Sequence, residues 1–110
     1  MILAEKDFRA YLATMDSRDA IGERAHAHAC PLATWMNATW SGAPWTVDQW
    51  TYWSEGAQAQ DLPRWAVMLV ALVDKTARPH APTVAECLEH LEYIDASQVD
   101  PYPSEVDQLA

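Results

Sequence analysis

Several kinds of functional site lack their raw material in this chain. Three glycines in 110 residues leave little from which to build a loop that cradles phosphate. No Walker motif, no Gly-x-Ser-x-Gly elbow and no His-Glu-x-x-His pair occurs. The two cysteines, Cys30 and Cys87, are too few and too distant for a disulfide scaffold. They are expected to be reduced and to pack as small apolar groups. The longest apolar run, residues 65–73, falls well short of a bilayer span. No basic stretch precedes an apolar one at the start, so no signal peptide is expected and the expected compartment is the cytoplasm. Bases are scarce: seven Lys and Arg stand against sixteen acids, a net charge of −9. Surfaces that neutralise phosphate do not have that balance, which argues against direct binding to nucleic acid or to anionic membranes.

Apolar side chains are plentiful, at 50% of the chain, so a hydrophobic core can form. The length suits one domain, expected over residues 1–96, followed by an acidic, proline-containing tail over 97–110. The expected fold is α+β and mainly helical, with about four helices and one small strand or hairpin around residues 45–54.

The first helix is read over residues 3–15, where Phe8, Tyr11, Leu12 and Met15 share one face. Residues 25–29 alternate Ala and His with period two, and residues 20–29 read as a loop or short extended segment leading into Cys30. Pro31 opens a second helix to about residue 40, lined by Leu32, Trp35, Met36 and Trp40. Residues 45–54 are aromatic and β-branched, which favours a strand. If continuous, it puts Trp45, Val47, Gln49, Thr51 and Trp53 on one face. Its partner is residues 20–29, its own second half folded back, or another chain. Asp61 and Pro63 read as the N-cap and first turn of a third helix, apolar nearly all round and therefore central. Thr83 and Glu86 form a capping box for a fourth helix, whose stripe is Val84, Cys87, Leu88, Leu91 and Ile94. Leu12, Leu32, Trp35, Leu69, Leu72, Leu88 and Leu91 are the expected core. Tryptophan recurs at positions 35, 40, 45 and 50, a period of neither helix nor strand, and no structural meaning is expected of it.

Four groups of residues could carry chemistry. His26, His28 and Cys30 point to one side of an extended segment, and imidazole with thiolate suits zinc or copper. The spacing is not that of a zinc finger and no fourth ligand is evident, so no metal or other cofactor is expected. Cys30 ahead of a helix could also serve as a thiol nucleophile, against the plainer reading of a buried small side chain. Core and sheet packing is expected to claim most of the rings of Trp45, Trp50, Tyr52 and Trp53, but six tryptophans are many for so small a domain. One or two of its rings, Trp50 and Trp53, are expected at a partner surface. Charge is also uneven: residues 79–110 carry seven acids and no Lys or Arg, a net −7. Glu86, Glu89, Glu92 and Asp95 are therefore expected to face a positively charged partner, where complementary charge speeds association. The plainer alternative is a solvated face that aids solubility.

The segments Ala20-Ile21-Gly22, Cys30-Pro31-Leu32-Ala33-Thr34-Trp35-Met36, Leu62-Pro63-Arg64-Trp65-Ala66 and Val70-x-x-Val73-Asp74 resemble a group of small bacterial and phage-type open reading frames. These share a Cys-Pro-Leu-Ala-x-aromatic core and a Leu-Pro-x-Trp-Ala helix start. The resemblance covers roughly residues 20–74 and implies that Cys30, Leu32, Trp35, Pro63 and Trp65 define the fold. It lends no catalytic residues. Trp35-Met36 stands where the group has a Tyr-Leu type pair, a change of packing only.

The function expected from these features is that of a small acidic interaction module without enzymatic activity. Its partner would be a basic protein whose nucleic-acid-binding surface it covers, sometimes as a DNA mimic. Accessory proteins and inhibitors from phages and mobile elements, anti-CRISPR proteins among them, have this size and charge. The alternatives are a metal or thiol site on His26, His28 and Cys30, and a structural subunit of a larger complex.

Overall fold

The computed structural model describes residues 3–23, 28–41, 44–76 and 80–97. The elements run α1 (Glu5–Leu12), α2 (Pro31–Thr39), β1 (Trp45–Val47), β2 (Thr51–Ser54), β3 (Gln60–Asp61), α3 (Arg64–Lys75) and α4 (Val84–Ala96). The strands form one antiparallel sheet in the order β1-β2-β3. This is the mainly helical α+β fold that the hydrophobic periodicity predicts. The sheet rests on α2, whereas α4 rests on α3 and α1. Expected positions 98–110 of the tail and His26 lie outside the described residues.

The helix α1 is shorter than the periodicity suggests. The N–H and hydroxyl of Thr14 both turn back to the Tyr11 carbonyl, at 3.1 and 2.7 Å, and tighten the chain out of α geometry. Met15 still packs against the core from the following turn. Asp61 is not the N-cap of the third helix. It is used in β3 opposite Thr51, and Pro63 takes the cap position, its carbonyl accepting from the N–H groups of Ala66 and Val67. Nor is α3 buried all round. Ala66, Leu69, Val70 and Val73 face inward, Val67, Met68 and Leu72 are half-buried, and Ala71 is exposed. Leu72 and Leu88 lie on the flanks of their stripes and are half-buried, whereas Leu12, Leu32, Trp35, Leu69 and Leu91 are core residues as expected.

The capping box forms in full. Glu86 N–H donates to Thr83 Oγ1 at 3.2 Å, and Thr83 N–H donates to Glu86 Oε1 at 3.0 Å. Residues 17–21 complete the start of α4, for Val84 and Ala85 donate to the carbonyls of Asp19 and Ser17, both at 2.9 Å. The four orphan donors of the helix start, on Thr83, Val84, Ala85 and Glu86, are thus all satisfied before Cys87 N–H makes the first intrahelical bond to the Thr83 carbonyl. The same strap makes a bridge from Ala20 to Thr83, and Ile21 N–H donates to the Pro82 carbonyl at 2.8 Å, so Ala20 and Ile21 pair toward α4 and not with the sheet. Gly22 follows at φ +72°, where an added Cβ would sit 2.3 Å from the Ala29 carbonyl oxygen. Only glycine fits this neck, which the Glu23 N–H closes onto Ala29 at 2.6 Å.

The five-residue spacing of tryptophan has a structural meaning after all for three of the four. Trp65, Phe8, Trp35, Trp40, Trp45 and Tyr52 form one continuous series of ring contacts, with centroids 5.1 to 6.2 Å apart. Trp40 ends α2 and the chain then doubles back, so Trp35 and Trp45 approach it from either side in edge-on geometry. Each ring buries large apolar area, and together they bind the sheet to the helices.

Candidate functional site

The segment 45–54 folds on itself as a hairpin. Trp45 pairs with Ser54, Thr46 with Trp53 and Val47 with Tyr52. The turn at Gln49 and Trp50 reverses the single-strand alternation. Trp45, Val47 and Tyr52 therefore share the buried face, while Thr51 and Trp53 lie on the other with Thr46. The turn contains no glycine, and Asp48 supplies the geometry instead. Its Oδ1 accepts from Trp50 N–H at 2.8 Å, Thr51 N–H at 2.6 Å and the Thr51 hydroxyl at 2.9 Å. Burial pushes the Asp48 carboxyl up, but these three donors outweigh it and hold it below the ordinary aspartate range.

Trp50 caps this tip and remains 64% exposed. Its N–H is held by Asp48, and its carbonyl accepts from Leu62 N–H at 2.8 Å. Both backbone polar groups are thus engaged, and the exposed indole stands on a fixed support. Trp53 is half-buried on the outer face of the sheet, with Asp61 diagonal to it across the β2–β3 pair.

The acidic face of α4 is smaller than the sequence suggests. Glu86 is only 7% exposed. One oxygen closes the capping box and the other meets His80 Nε2 at 3.0 Å, so it belongs to the helix start and not to the outer surface. Asp95 accepts from Arg9 at 2.6 Å, and Arg9 also holds Glu5 at 2.8 Å. The Glu5 and Asp95 charges raise the Arg9 guanidinium still further above its ordinary value, Glu5 foremost. Asp95 therefore ties α1 to α4, sharing the single Arg9 charge with Glu5. Glu89 and Glu92 remain exposed, beside Tyr93 at 61% exposure. Among the described residues neither glutamate is ion-paired.

Of the His26, His28 and Cys30 set, His28 and Cys30 are described, and they are not used alike. His28 Nδ1 lies 3.1 Å from the hydroxyl of the buried Thr46. Cys30 is buried as the residue before α2 and is not in a disulfide. Burial pushes its thiol up, against the pull of the Ala33 and Leu32 N–H groups, and the Asp74 charge adds to the rise. A thiol held protonated is the opposite of an activated nucleophile. The hollow it shares with Pro31, Leu32, Leu69, Val70, Val73 and Asp74 amounts to about 10 Å³, room for one water and not for a substrate. No group of three or more metal-ligating side chains occurs among the described residues, and no helix among them is long and apolar enough to cross a membrane.

The sequence reading missed Asp48 as the residue that fixes Trp50; its signal was an Asp in the middle of a segment able to fold back on itself, where Asp favours turns. The removal of Glu86 from the surface was half-legible, because a capping-box glutamate is already engaged. Compared with protein-family models, curated proteins and solved structures, the chain matches none.

Proposed function

We propose that this protein is a small, non-enzymatic protein–protein interaction module that docks on a basic, nucleic-acid-binding surface of a partner. Its setting would be that of a cytoplasmic phage or mobile-element accessory protein or inhibitor, of the anti-CRISPR kind. The observation that carries the reading is Trp50, a largely exposed indole on a hairpin tip whose backbone is hydrogen-bonded on both sides. Indole is the side chain most enriched among energetic hot spots, and a support that is already ordered lowers the entropy lost on docking. The net charge of −9 supports a basic partner. Glu89 and Glu92 supply carboxylates on α4 that attract it from a distance. Glu86 is not part of this surface, and Asp95 contributes to it as part of a group in which one Arg9 faces two carboxylates.

The test is affinity capture from a bacterial host extract with the wild type, Trp50→Ala and the double variant Glu89→Lys, Glu92→Lys. The expected result is a nucleic-acid-binding protein that is held by the wild type and released as salt rises. Trp50→Ala would lose it, and the double variant would capture it more slowly. Identical capture by all three proteins, indifferent to salt, would overturn the reading.

A further inference from the structure

We propose that the open edge of β3 is a docking site for an extended, basic segment of the partner. The segment adds to the sheet as a fourth, antiparallel strand, with a positively charged side chain opposite Asp61. This rests on the interaction reading above and specifies the contact that holds the partner.

The hydrogen-bond phase of the sheet opens this edge. Leu62 N–H donates to the Trp50 carbonyl at 2.8 Å, so Trp50 and Leu62 form a hydrogen-bonded pair beside β3. The next pair, Thr51 and Asp61, is then a non-hydrogen-bonded one. Thr51 turns its polar groups toward β1, where its carbonyl accepts from Asp48 N–H at 3.0 Å. Asp61 turns its N–H and carbonyl the other way, off the sheet. No turn, loop or cap bond among the described residues takes them up. Residues 55–61 are all exposed, so the edge faces solvent. The opposite edge is closed in the same phase: the Asn37 amide binds the N–H and carbonyl of Trp45 at 2.6 and 3.3 Å.

Charge selects the occupant. Residues 44–63, which hold the whole sheet, contain Asp48, Glu55 and Asp61 and no Lys or Arg. All three acids are exposed, and among the described residues none is ion-paired. A second copy of this chain, meeting edge to edge, would bring the same acids on a molecule of net charge −9. A charged residue on an edge strand bars such self-pairing. A basic segment escapes the repulsion. In antiparallel addition the residue facing Asp61 exchanges both backbone hydrogen bonds with it. Its side chain then lies beside the Asp61 carboxylate on the same face of the sheet, where opposite charges attract. One residue of the partner thus satisfies the N–H, the carbonyl and the carboxylate of Asp61 together, which suits an edge strand of two residues.

The experiment is an NMR titration of the backbone amide signals of the full chain. The probe is the peptide acetyl-Thr-Val-Thr-Arg-Thr-Val-Thr-amide, whose β-branched residues favour an extended chain. It is expected to shift the Asp61 amide signal saturably. The analogue with N-methyl-arginine lacks the donor for the Asp61 carbonyl and should not bind. Methylation of the next amide, on the following threonine, falls on the side away from β3 and should be tolerated. The citrulline analogue keeps every backbone group and loses the charge, and should bind about two- to five-fold more weakly. Asp61→Asn should weaken the arginine peptide to the same degree, and Asp61→Lys should favour the analogue with glutamate in place of arginine. An unmoved Asp61 signal, equal binding of the N-methyl-arginine peptide, or no weakening with citrulline would overturn the proposal. So would an Asp61 signal that moves with protein concentration alone, since a second copy would then fill the edge. If the wild type captures a partner that Trp50→Ala loses, and the peptide leaves Asp61 unmoved, the edge site falls and the interaction reading stands. If capture is the same for every variant and indifferent to salt, the interaction reading falls, and the titration still judges the edge.

Discussion

The side-chain amide of Asn37 holds both polar groups of the Trp45 backbone. Its Oδ1 accepts from Trp45 N–H at 2.6 Å, and its Nδ2 donates to the Trp45 carbonyl at 3.3 Å. One amide on α2 thus does for the outer edge of β1 what a neighbouring strand would do. It joins helix to sheet and blunts an edge that could otherwise pair with another chain.

Asn37→Ala is expected to lower stability by about 0.5–1.5 kcal/mol, since the site is exposed and water replaces part of what is lost. The urea midpoint measures the loss. Sedimentation at rising concentration measures whether the uncovered edge now associates. An unchanged midpoint would mean that the amide adds nothing to the junction.

Phe8 is fully buried between Trp35 and Trp65, with ring centroids at 5.2 and 5.9 Å. Phe8→Ala is expected to cost about 3–5 kcal/mol, because the cavity opens in the middle of the aromatic series. Trp65 is half-buried, so Trp65→Ala is expected to cost less than Phe8→Ala. Chemical denaturation ranks the two, and the reverse order would refute this account of the core.

The acids of α4 are expected to separate into two classes. Thr83→Ala removes the acceptor for Glu86 N–H and should cost about 0.5–2 kcal/mol. Glu86→Lys should cost at least as much, for it places a cation at a buried helix start. Glu89→Lys with Glu92→Lys should change stability by no more than about 0.5 kcal/mol, as exposed substitutions do. Thermal melts of the three proteins test the division.

Burial raises both the Cys30 thiol and the Tyr52 phenol above their ordinary values. A folded value above the unfolded one favours the native state while the group stays protonated. That contribution is complete below the ordinary thiol range and is lost as pH rises through the folded values. Stability is therefore expected to fall on the alkaline side, and Cys30→Ser should lessen its thiol part. Mass spectrometry after iodoacetamide treatment at neutral pH should find Cys30 and Cys87, both buried, unmodified until urea is added. Rapid labelling of the native protein would contradict the burial of these thiols.

Local order was readable in the sequence wherever the cause was local. The capping box needs only Thr83 and Glu86 three residues apart, and the stripe of Val84, Cys87, Leu91 and Ile94 needs only helical spacing. Pro31 marks the start of α2 for the same kind of reason. The hairpin was one of three partners left open for residues 45–54, because β pairing joins residues that propensity cannot relate.

Burial and charge were settled elsewhere. Sequence position set Glu86 apart only through its capping box and made Glu89, Glu92 and Asp95 equivalent acids. Tertiary packing buried the first against His80, tied the last to Arg9 and left the middle two in solvent. In the same way, the exposure of Trp50 and the enclosure of Trp45, five residues earlier, follow from which ring meets α2 and which stands at the turn. Composition alone determined that this chain would be acidic and rich in indole, and hydrophobic periodicity that it would be mainly helical. Which of its charges and rings a partner can reach depends on contacts between residues distant in sequence, and those exist only once the helices and the sheet have packed.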